Sequence, residues 1–387
     1  MIPALMLIAQ LPTIPDFAEY PSPNREATSI EAIVKLPELN PAQRFVLAQA
    51  MVLAVQMTPE YGNQDVLRVL KTGTRFRLYQ GADHIRIGLT VDSNDMGAGL
   101  NLLYGVLTQP SFLADKIKAR RSNVSMPWST AYSGFELQDA EFDRETIVSL
   151  WQGIMRPKSI SVAVSGTFRT GEPTQIWQKK RSAWIQNVPS QLPLAYPLIA
   201  KRVPAKPPIL IFESKPIAIS KKVLASYLLA ANAFGVGKES IQWLVAREEL
   251  NFSYRQESFL LPTLGGWRFR MAFATDANGV QAQSVATLRQ KLMARCEAVT
   301  QADLDHAIGL GAGYLSNQMP NLPLILGVGE VLSNDANDQL YLQHYWKTMF
   351  AFDWNPSGIL ADMKEIKLYE FKKLLVQLLS ETETKVY

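Results

Sequence analysis

The chain has 387 residues, of which 47% are hydrophobic and 19% charged, so it can build two or more domains and is too apolar to be disordered. Lys and Arg number 39 against 35 Asp and Glu, and this mild excess, without a block of like charge, excludes a nucleic-acid-binding footprint. The single cysteine, Cys296, excludes an internal disulfide and a cysteine-based metal site.

The N-terminus is apolar but carries no positively charged region. Met1 to Leu11 therefore fits either a poorly formed signal peptide or an arm that packs on a partner. No stretch of the sequence reaches the ~18 to 20 apolar residues that span a bilayer. We predict an arm over residues 1–27 and no membrane span, and the cytoplasm and the periplasm both stay open as locations.

A strand, a turn and two helices are predicted in the first half. His84 to Val91 alternates apolar and polar side chains like a strand, and Asp92-Ser93-Asn94 is typical of a turn. The next apolar residues recur at helical spacing: Leu100, Leu103, Tyr104 and Leu107. Gln109-Pro110 ends that helix, and a second helix follows.

The second half repeats this order of elements. Trp267 to Thr275 alternates like a strand, and Asp276-Ala277-Asn278-Gly279 predicts a turn. One face of the following helix is apolar: Val285, Leu288, Leu292 and Cys296. A further helix is predicted to begin at Thr300, with Asp303 completing a capping box. Asp92-x-Asn94 and Asp276-x-Asn278 thus occupy equivalent places in the two halves.

A proline-rich stretch separates the two halves. Its prolines predict an extended, stiff linker: Pro189, Pro193, Pro197, Pro204, Pro207 and Pro208. We therefore predict a first domain over residues 28–188, a linker over 189–208 and a second domain over 209–387. Because strands and helices do not strictly alternate, both domains are predicted to be α+β rather than one doubly wound sheet.

Several catalytic motifs are missing from the sequence. Its three histidines, His84, His306 and His344, have no pair at the i, i+4 spacing of a helical metal site. There is no G-x-S-x-G serine elbow. The run Gly235-Val236-Gly237-Lys238 fails as a phosphate loop, because Asn232 and Glu239 stand where Gly and Ser or Thr are required.

The most informative segment is Ala233 to Phe259. It opens with a glycine turn, continues as a helix that ends in Arg247-Glu248-Glu249, and passes through Asn251 into a strand. A helix end and the strand that leaves it can bring Arg247 and Tyr254 together. The alternative is that Arg247 pairs with Glu248 or Glu257 and that the tyrosine is half-buried.

This segment resembles the second domain of the pitrilysin/insulinase-type zinc peptidases, including the mitochondrial processing peptidase group. Arg247, Glu248, Phe252, Ser253 and Tyr254 match the family's R-E-x-x-x-aromatic-S-Y pattern position by position. Where Asn251 stands the family favours Gly, and Asn tolerates the left-handed backbone such a turn requires. The resemblance extends over roughly Thr28 to Asn317 and implies two homologous α/β-sandwich domains joined by the linker.

The resemblance also implies that the zinc site of the family is lost. Catalytic members carry H-x-x-E-H on the first long helix, which here corresponds to residues 41–56, and the motif window Ala48 to Val52 reads AQAMV. The family's third ligand, a later glutamate, falls near Met126 or Pro127, and neither side chain can bind zinc. Without ligands no metal can activate water.

What the resemblance implies for function is a partner subunit with no cofactor of its own. Zinc is expected in a homologous partner chain, and Arg247 and Tyr254 are expected to contact a peptide or unfolded-protein substrate at the partner's zinc site. Two alternatives remain: a structural or assembly subunit without proteolytic function, and a stand-alone peptide-binding protein or homodimer.

Overall fold

The protein is described from a computed structural model. The described residues are 16–56, 76–81, 83–120, 135–140, 142–187, 200–204, 207–235, 237–253, 255–263, 266–315, 336–351, 353 and 355–386. The chain folds as two α+β halves, each with its own sheet and helices. The predicted fold class is confirmed.

The first half contains a mixed sheet in the order β1-β6-β2-β4-β3. Its strands are β1 (Phe17–Pro21), β2 (Ala27–Lys35), β3 (Phe76–Gln80), β4 (His84–Asp92) and β6 (Ile160–Gly166). β1 runs parallel to β6, whereas the other neighbouring strands are antiparallel. Strand β5 (Phe135–Ala140) pairs with β7 (Ala200–Pro204), which lies in the predicted linker stretch.

The helices of this half pack mainly on one face of its sheet. They are α1 (Pro41–Gln56), α2 (Met96–Thr108), α3 (Ala114–Arg120), α4 (Arg144–Ile154) and α5 (Glu172–Asn187). Helix α1 begins with a reciprocal cap, in which the Gln43 N–H donates to Asn40 Oδ1 and the Asn40 N–H donates to Gln43 Oε1, both at 2.9 Å. Pro41 follows at the first helical position, where its missing N–H costs nothing.

The second half contains an antiparallel sheet in the order β11-β8-β10-β9. Its strands are β8 (Ile209–Glu213), β9 (Arg255–Thr263), β10 (Gly266–Ala274) and β11 (Glu383–Val386). Its helices are α6 (Lys221–Gly235), a π-helix (Trp243–Glu249), α7 (Ala282–Glu297), α8 (Gln301–Leu315), α9 (Ala336–Phe350), α10 (Pro356–Glu365) and α11 (Leu368–Ser380).

The internal repeat is visible in the turns that follow β4 and β10. Asp92 Oδ1 accepts from the Asn94 N–H at 2.8 Å, and Asp276 Oδ1 accepts from the Asn278 N–H at 2.9 Å. Both are Asx turns, which redirect the chain from a strand into a helix. The predicted equivalence of the two turns is confirmed. The capping box at Thr300 is also present, because Asp303 Oδ2 accepts from the Thr300 N–H at 2.7 Å.

A buried arginine–glutamate pair is repeated in the two sheets. Arg86 Nε in β4 donates to Glu31 in β2 at 2.9 Å, and Arg270 Nε in β10 donates to Glu213 in β8 at 2.8 Å. Each of these four residues is less than 10% exposed. Since an isolated buried charge is costly, each carboxylate requires its guanidinium partner. The pairs lie on the sheet faces opposite the main helix layers.

Helix α9 joins the two halves. It belongs to the second half in sequence, yet it packs against β2, β4 and β6 of the first sheet. On its other side, Trp346 stacks on Trp267 of β10 with ring centroids 5.3 Å apart. The two sheets are therefore coupled through one helix. No helix within the described ranges is long and apolar enough to cross a membrane.

Candidate functional site

The helix expected to carry the metal motif is α1, and it has the predicted bounds, Pro41–Gln56. Within the motif window, Gln49 and Met51 are buried at 1% and 3% exposure. The amide nitrogen and oxygen of Gln49 have no hydrogen-bond partner in the part of the chain that the structure describes. The position predicted for the third ligand, Met126 or Pro127, lies outside the described residues.

The three histidines lie in three different environments. His84 is fully buried between the halves, His344 is fully buried on α9, and His306 is partly exposed with Nδ1 3.2 Å from Glu239. Among the described residues, no group of three or more His, Cys, Asp or Glu side chains could hold a metal ion.

His84 belongs to a hydrogen-bonded cluster that the sequence did not reveal. Its Nδ1 lies 2.7 Å from Asp83 Oδ1, and its Nε2 lies 2.6 Å from the Tyr341 hydroxyl on α9. The Tyr345 hydroxyl donates to the other Asp83 oxygen at 3.3 Å. With Asp83 accepting from Nδ1–H, Nε2 of the neutral imidazole is the atom that can accept from the Tyr341 hydroxyl. Asp83 beside His84 was visible in the sequence, but the tyrosines lie more than 250 residues away.

The contact between α9 and the first sheet also includes the buried pair of Arg86 and Glu31. The Arg86 guanidinium lies over the Tyr341 ring, 4.3 Å from its centroid, while it holds Glu31. Nearby, burial lowers the pKa of His344 to about 4, and the Lys347 charge acts in the same direction, whereas the Ser161 backbone opposes it. His344 is therefore neutral at neutral pH.

Arg247, the first residue predicted for substrate contact, lies on the π-helix Trp243–Glu249. Its Nη1 donates to Asn251 Oδ1 at 2.8 Å. The neighbouring Glu248 instead accepts from Trp243 Nε1 at 3.0 Å. π-Helical segments are rare in proteins as a whole, and those that occur are often found at functional sites. Arg247 therefore lies on an uncommon local structure.

Asn251 has the left-handed backbone that its place in the sequence predicted, with φ of +48°. The residues around it close the π-helix: the Leu250 N–H donates to the Val245 carbonyl at 3.0 Å, and the Phe252 N–H donates to the Ala246 carbonyl at 2.6 Å. This ending resembles a Schellman motif widened by one residue, as the longer hydrogen-bond span of a π-helix requires.

The predicted glycine turn before the π-helix has a steric reason. A Cβ on Gly235 would lie 2.3 Å from Ser258 Oγ and 2.5 Å from the Ser258 nitrogen, so only glycine lets α6 end this close to β9. Gly237 has φ of +77°. Ser253 is buried, and its hydroxyl is 2.6 Å from the Ala274 carbonyl and 2.8 Å from that of Arg255. These contacts fix the start of β9.

Tyr254, the second residue predicted for substrate contact, lies outside the described residues. It immediately precedes β9, whose first residue is Arg255. That Arg247 and Tyr254 lie close together thus stays a prediction, whereas the main chain on both sides of Tyr254 is described.

Comparisons with known proteins support the fold. No protein-family model matches the sequence, and no curated protein matches it significantly. Among solved structures, a protease from Helicobacter pylori is 12% identical with a TM-score of 0.66, covering 97% of each chain. A peptidase M16 inactive domain from Pseudomonas fluorescens is 13% identical with a TM-score of 0.64, covering 97% of this chain and 96% of that one.

A third solved structure agrees with the first two. A conserved protein from Enterococcus faecalis V583 is 10% identical with a TM-score of 0.66, covering 97% of this chain and 96% of that one. At such low identities the likeness establishes architecture rather than activity. Over nearly its whole length, the chain has an α+β fold with two main sheets that is similar to the fold of the solved peptidase M16 inactive domain.

Proposed function

We propose that this chain is a non-catalytic, substrate-binding subunit that acts beside a zinc-bearing homologous peptidase. The observation that carries the proposal is the composition of α1. This helix has the bounds predicted for the metal-binding helix but contains neither histidine nor glutamate. The likeness to an inactive M16 domain supports the same interpretation.

In this proposal, Arg247 and Tyr254 act on the substrate held at the partner's zinc site. Tyr254 donates a hydrogen bond to the scissile carbonyl oxygen as negative charge develops on it. Arg247 binds the peptide main chain or the same oxygen through charge-assisted hydrogen bonds. The zinc in the partner supplies the activated water. Zinc is not expected in this chain itself.

The substrate is proposed to be an extended peptide or an unfolded protein segment. β9 is the terminal strand of the second sheet among the described strands, and it begins directly after Tyr254. A peptide that adds to the edge of β9 would receive main-chain hydrogen bonds along the strand. Its backbone would then pass close to Tyr254.

The test is peptide cleavage by the complex of this chain with its co-purified partner. Wild-type complex should cleave a quenched fluorogenic peptide, and a chelator should abolish the activity. Arg247→Ala and Tyr254→Phe should each lower kcat by roughly 100-fold, the effect of losing one donor to a developing oxyanion. Lys238→Ala, a change at a neighbouring exposed cation, is the matched control and should retain activity.

Three other outcomes would contradict or replace the proposal. Full activity of both variants would show that the Arg/Tyr pair has no role in cleavage. Isolation of the chain within a large, non-proteolytic assembly would favour a structural subunit. Isolation of the chain by itself, with peptide binding but no cleavage, would favour a stand-alone peptide-binding protein.

A further inference from the structure

Asn251 occupies a backbone position where glycine is the ordinary residue. With φ of +48° it terminates the π-helix in the left-handed region, and glycine adopts this conformation without the steric cost that a side chain brings. Asparagine is the non-glycine residue that adopts this conformation most readily, and its side chain can also make a contact that glycine cannot.

The side chain of Asn251 is engaged with Arg247. Its Oδ1 accepts from Arg247 Nη1 at 2.8 Å, a normal distance for a charge-assisted hydrogen bond. The two residues are four apart along the chain, one on the helix and the other just beyond its end. The bond therefore links the guanidinium to the point where the helix stops.

Asn251 can orient Arg247 because its own backbone is fixed from both sides. The Leu250 N–H donates to Val245, and the N–H groups of Phe252 and Ser253 both donate to the Ala246 carbonyl. Beyond it, the buried Ser253 hydroxyl lies within hydrogen-bond distance of the main-chain carbonyls of Arg255 and Ala274, between which it shares its one proton. The carboxamide thus extends from a rigid corner, although the residue itself is exposed.

A neutral amide suits the proposed task of Arg247. A carboxylate at residue 251 would form an ion pair with the guanidinium and compensate the positive charge that binds substrate oxygen. The asparagine oxygen accepts a hydrogen bond and carries no net charge. It therefore sets the direction of the guanidinium without neutralising it.

We infer that Asn251 is a positioning residue, which holds the Arg247 guanidinium in the orientation that binds the peptide substrate. This inference rests on the proposed function. Asn251 touches Arg247 rather than substrate, so its effect on cleavage passes entirely through Arg247.

The inference is tested by a double-mutant cycle in the complex with the co-purified zinc peptidase, with kcat/KM measured on a quenched fluorogenic peptide. Asn251→Gly keeps the backbone conformation and removes the acceptor, so the chain should fold normally. It should lower kcat/KM by about 3- to 10-fold, the effect of one lost hydrogen bond. In an Arg247→Ala background the same change should have no further effect.

A matched control is Asn24→Gly. Asn24 is another exposed asparagine with positive φ, +68°, and lies in the first half of the chain. This variant should leave kcat/KM unchanged. Thermal unfolding of Asn251→Gly should match that of the wild type, which separates positioning of Arg247 from a general loss of structure.

The outcomes distinguish this inference from the proposed function. If Arg247→Ala impairs cleavage while Asn251→Gly does not, or if Asn251→Gly costs the same with and without Arg247, the positioning inference is wrong and the proposed function stands. If the complex does not cleave peptide, or if Arg247→Ala is fully active, the proposed function fails and the inference fails with it.

Discussion

Tyr341→Phe tests whether α9 holds the two halves together through His84. The change keeps the ring under the Arg86 guanidinium but removes the hydroxyl 2.6 Å from His84 Nε2. Both residues are completely buried, so water cannot replace the lost bond. An unsatisfied buried acceptor costs about 1–3 kcal/mol, a substantial part of the ~5–15 kcal/mol that stabilises a typical domain.

The assay is urea unfolding followed by tryptophan fluorescence, since Trp346 on α9 stacks on Trp267 of the second sheet. With an m-value of about 3 kcal/mol/M in urea, the unfolding midpoint of Tyr341→Phe should fall by roughly 0.3–1 M relative to the wild type. Tyr369→Phe is the matched control, because Tyr369 is 69% exposed and its hydroxyl can exchange its partner for water. Equal midpoints for the two variants would refute the account of the interface.

Three further predictions concern buried polar groups. Burial lowers the pKa of His344 from its ordinary value of 6.5 to about 4 in the folded chain. Between these two pH values the unfolded chain therefore binds more protons than the folded chain. The free energy of unfolding should fall by roughly 3 kcal/mol as the pH drops through this range. His344→Leu should lack this loss, whereas His306→Asn should keep it, as urea titrations at each pH would show. Gln49→Met should stabilise the chain by about 1–2 kcal/mol in the same assay, because it removes a buried amide that has no hydrogen-bond partner among the described residues; a destabilised variant would contradict this. Burial raises the pKa of Cys296 to about 12. Because iodoacetamide reacts with the thiolate, this reagent at pH ~8 should label Cys296 only in the unfolded chain. Rapid labelling of the folded chain would oppose this prediction.

The sequence predicted those features that depend on local chemistry. The bounds of α1, the Asx turns at Asp92 and Asp276 and the capping box at Thr300 are all present. Each depends on hydrogen bonds between residues a few positions apart, and such patterns are readable from residue order. The left-handed conformation of Asn251 was expected for a different reason, because the family that the segment resembles favours glycine at this position.

The features that the sequence did not predict depend on distant contacts. Nothing in the residues of α9 indicates that Tyr341 bonds to His84 across 257 positions. Alternation placed Arg86 and Arg270 on strands but did not show that each is buried against a glutamate. The π-helix at Arg247 also escaped prediction, because hydrogen bonds between residues five apart, such as Leu250 N–H to the Val245 carbonyl, have no recognised signature in the residue order.

The domain boundaries at residues 28, 189 and 209 and the pairing of Arg247 with Tyr254 stay predictions. Residues 188–199 lie outside the described ranges, and so does Tyr254. The strand β1 (Phe17–Pro21), within the stretch predicted as an arm, pairs with β6. Limited proteolysis with mass spectrometry would locate the boundaries, and the strongest cleavage is expected within the proline-rich stretch.

We propose that this chain has no zinc chemistry of its own and serves a partner that does. The most direct measurement is a pull-down of the tagged chain from its native extract, with identification of co-purifying proteins and a cleavage assay with and without chelator. The account predicts a homologous chain that carries H-x-x-E-H and chelator-sensitive cleavage by the pair. Chelator-sensitive cleavage by this chain alone, or a stable assembly that lacks any such homologue, would contradict it.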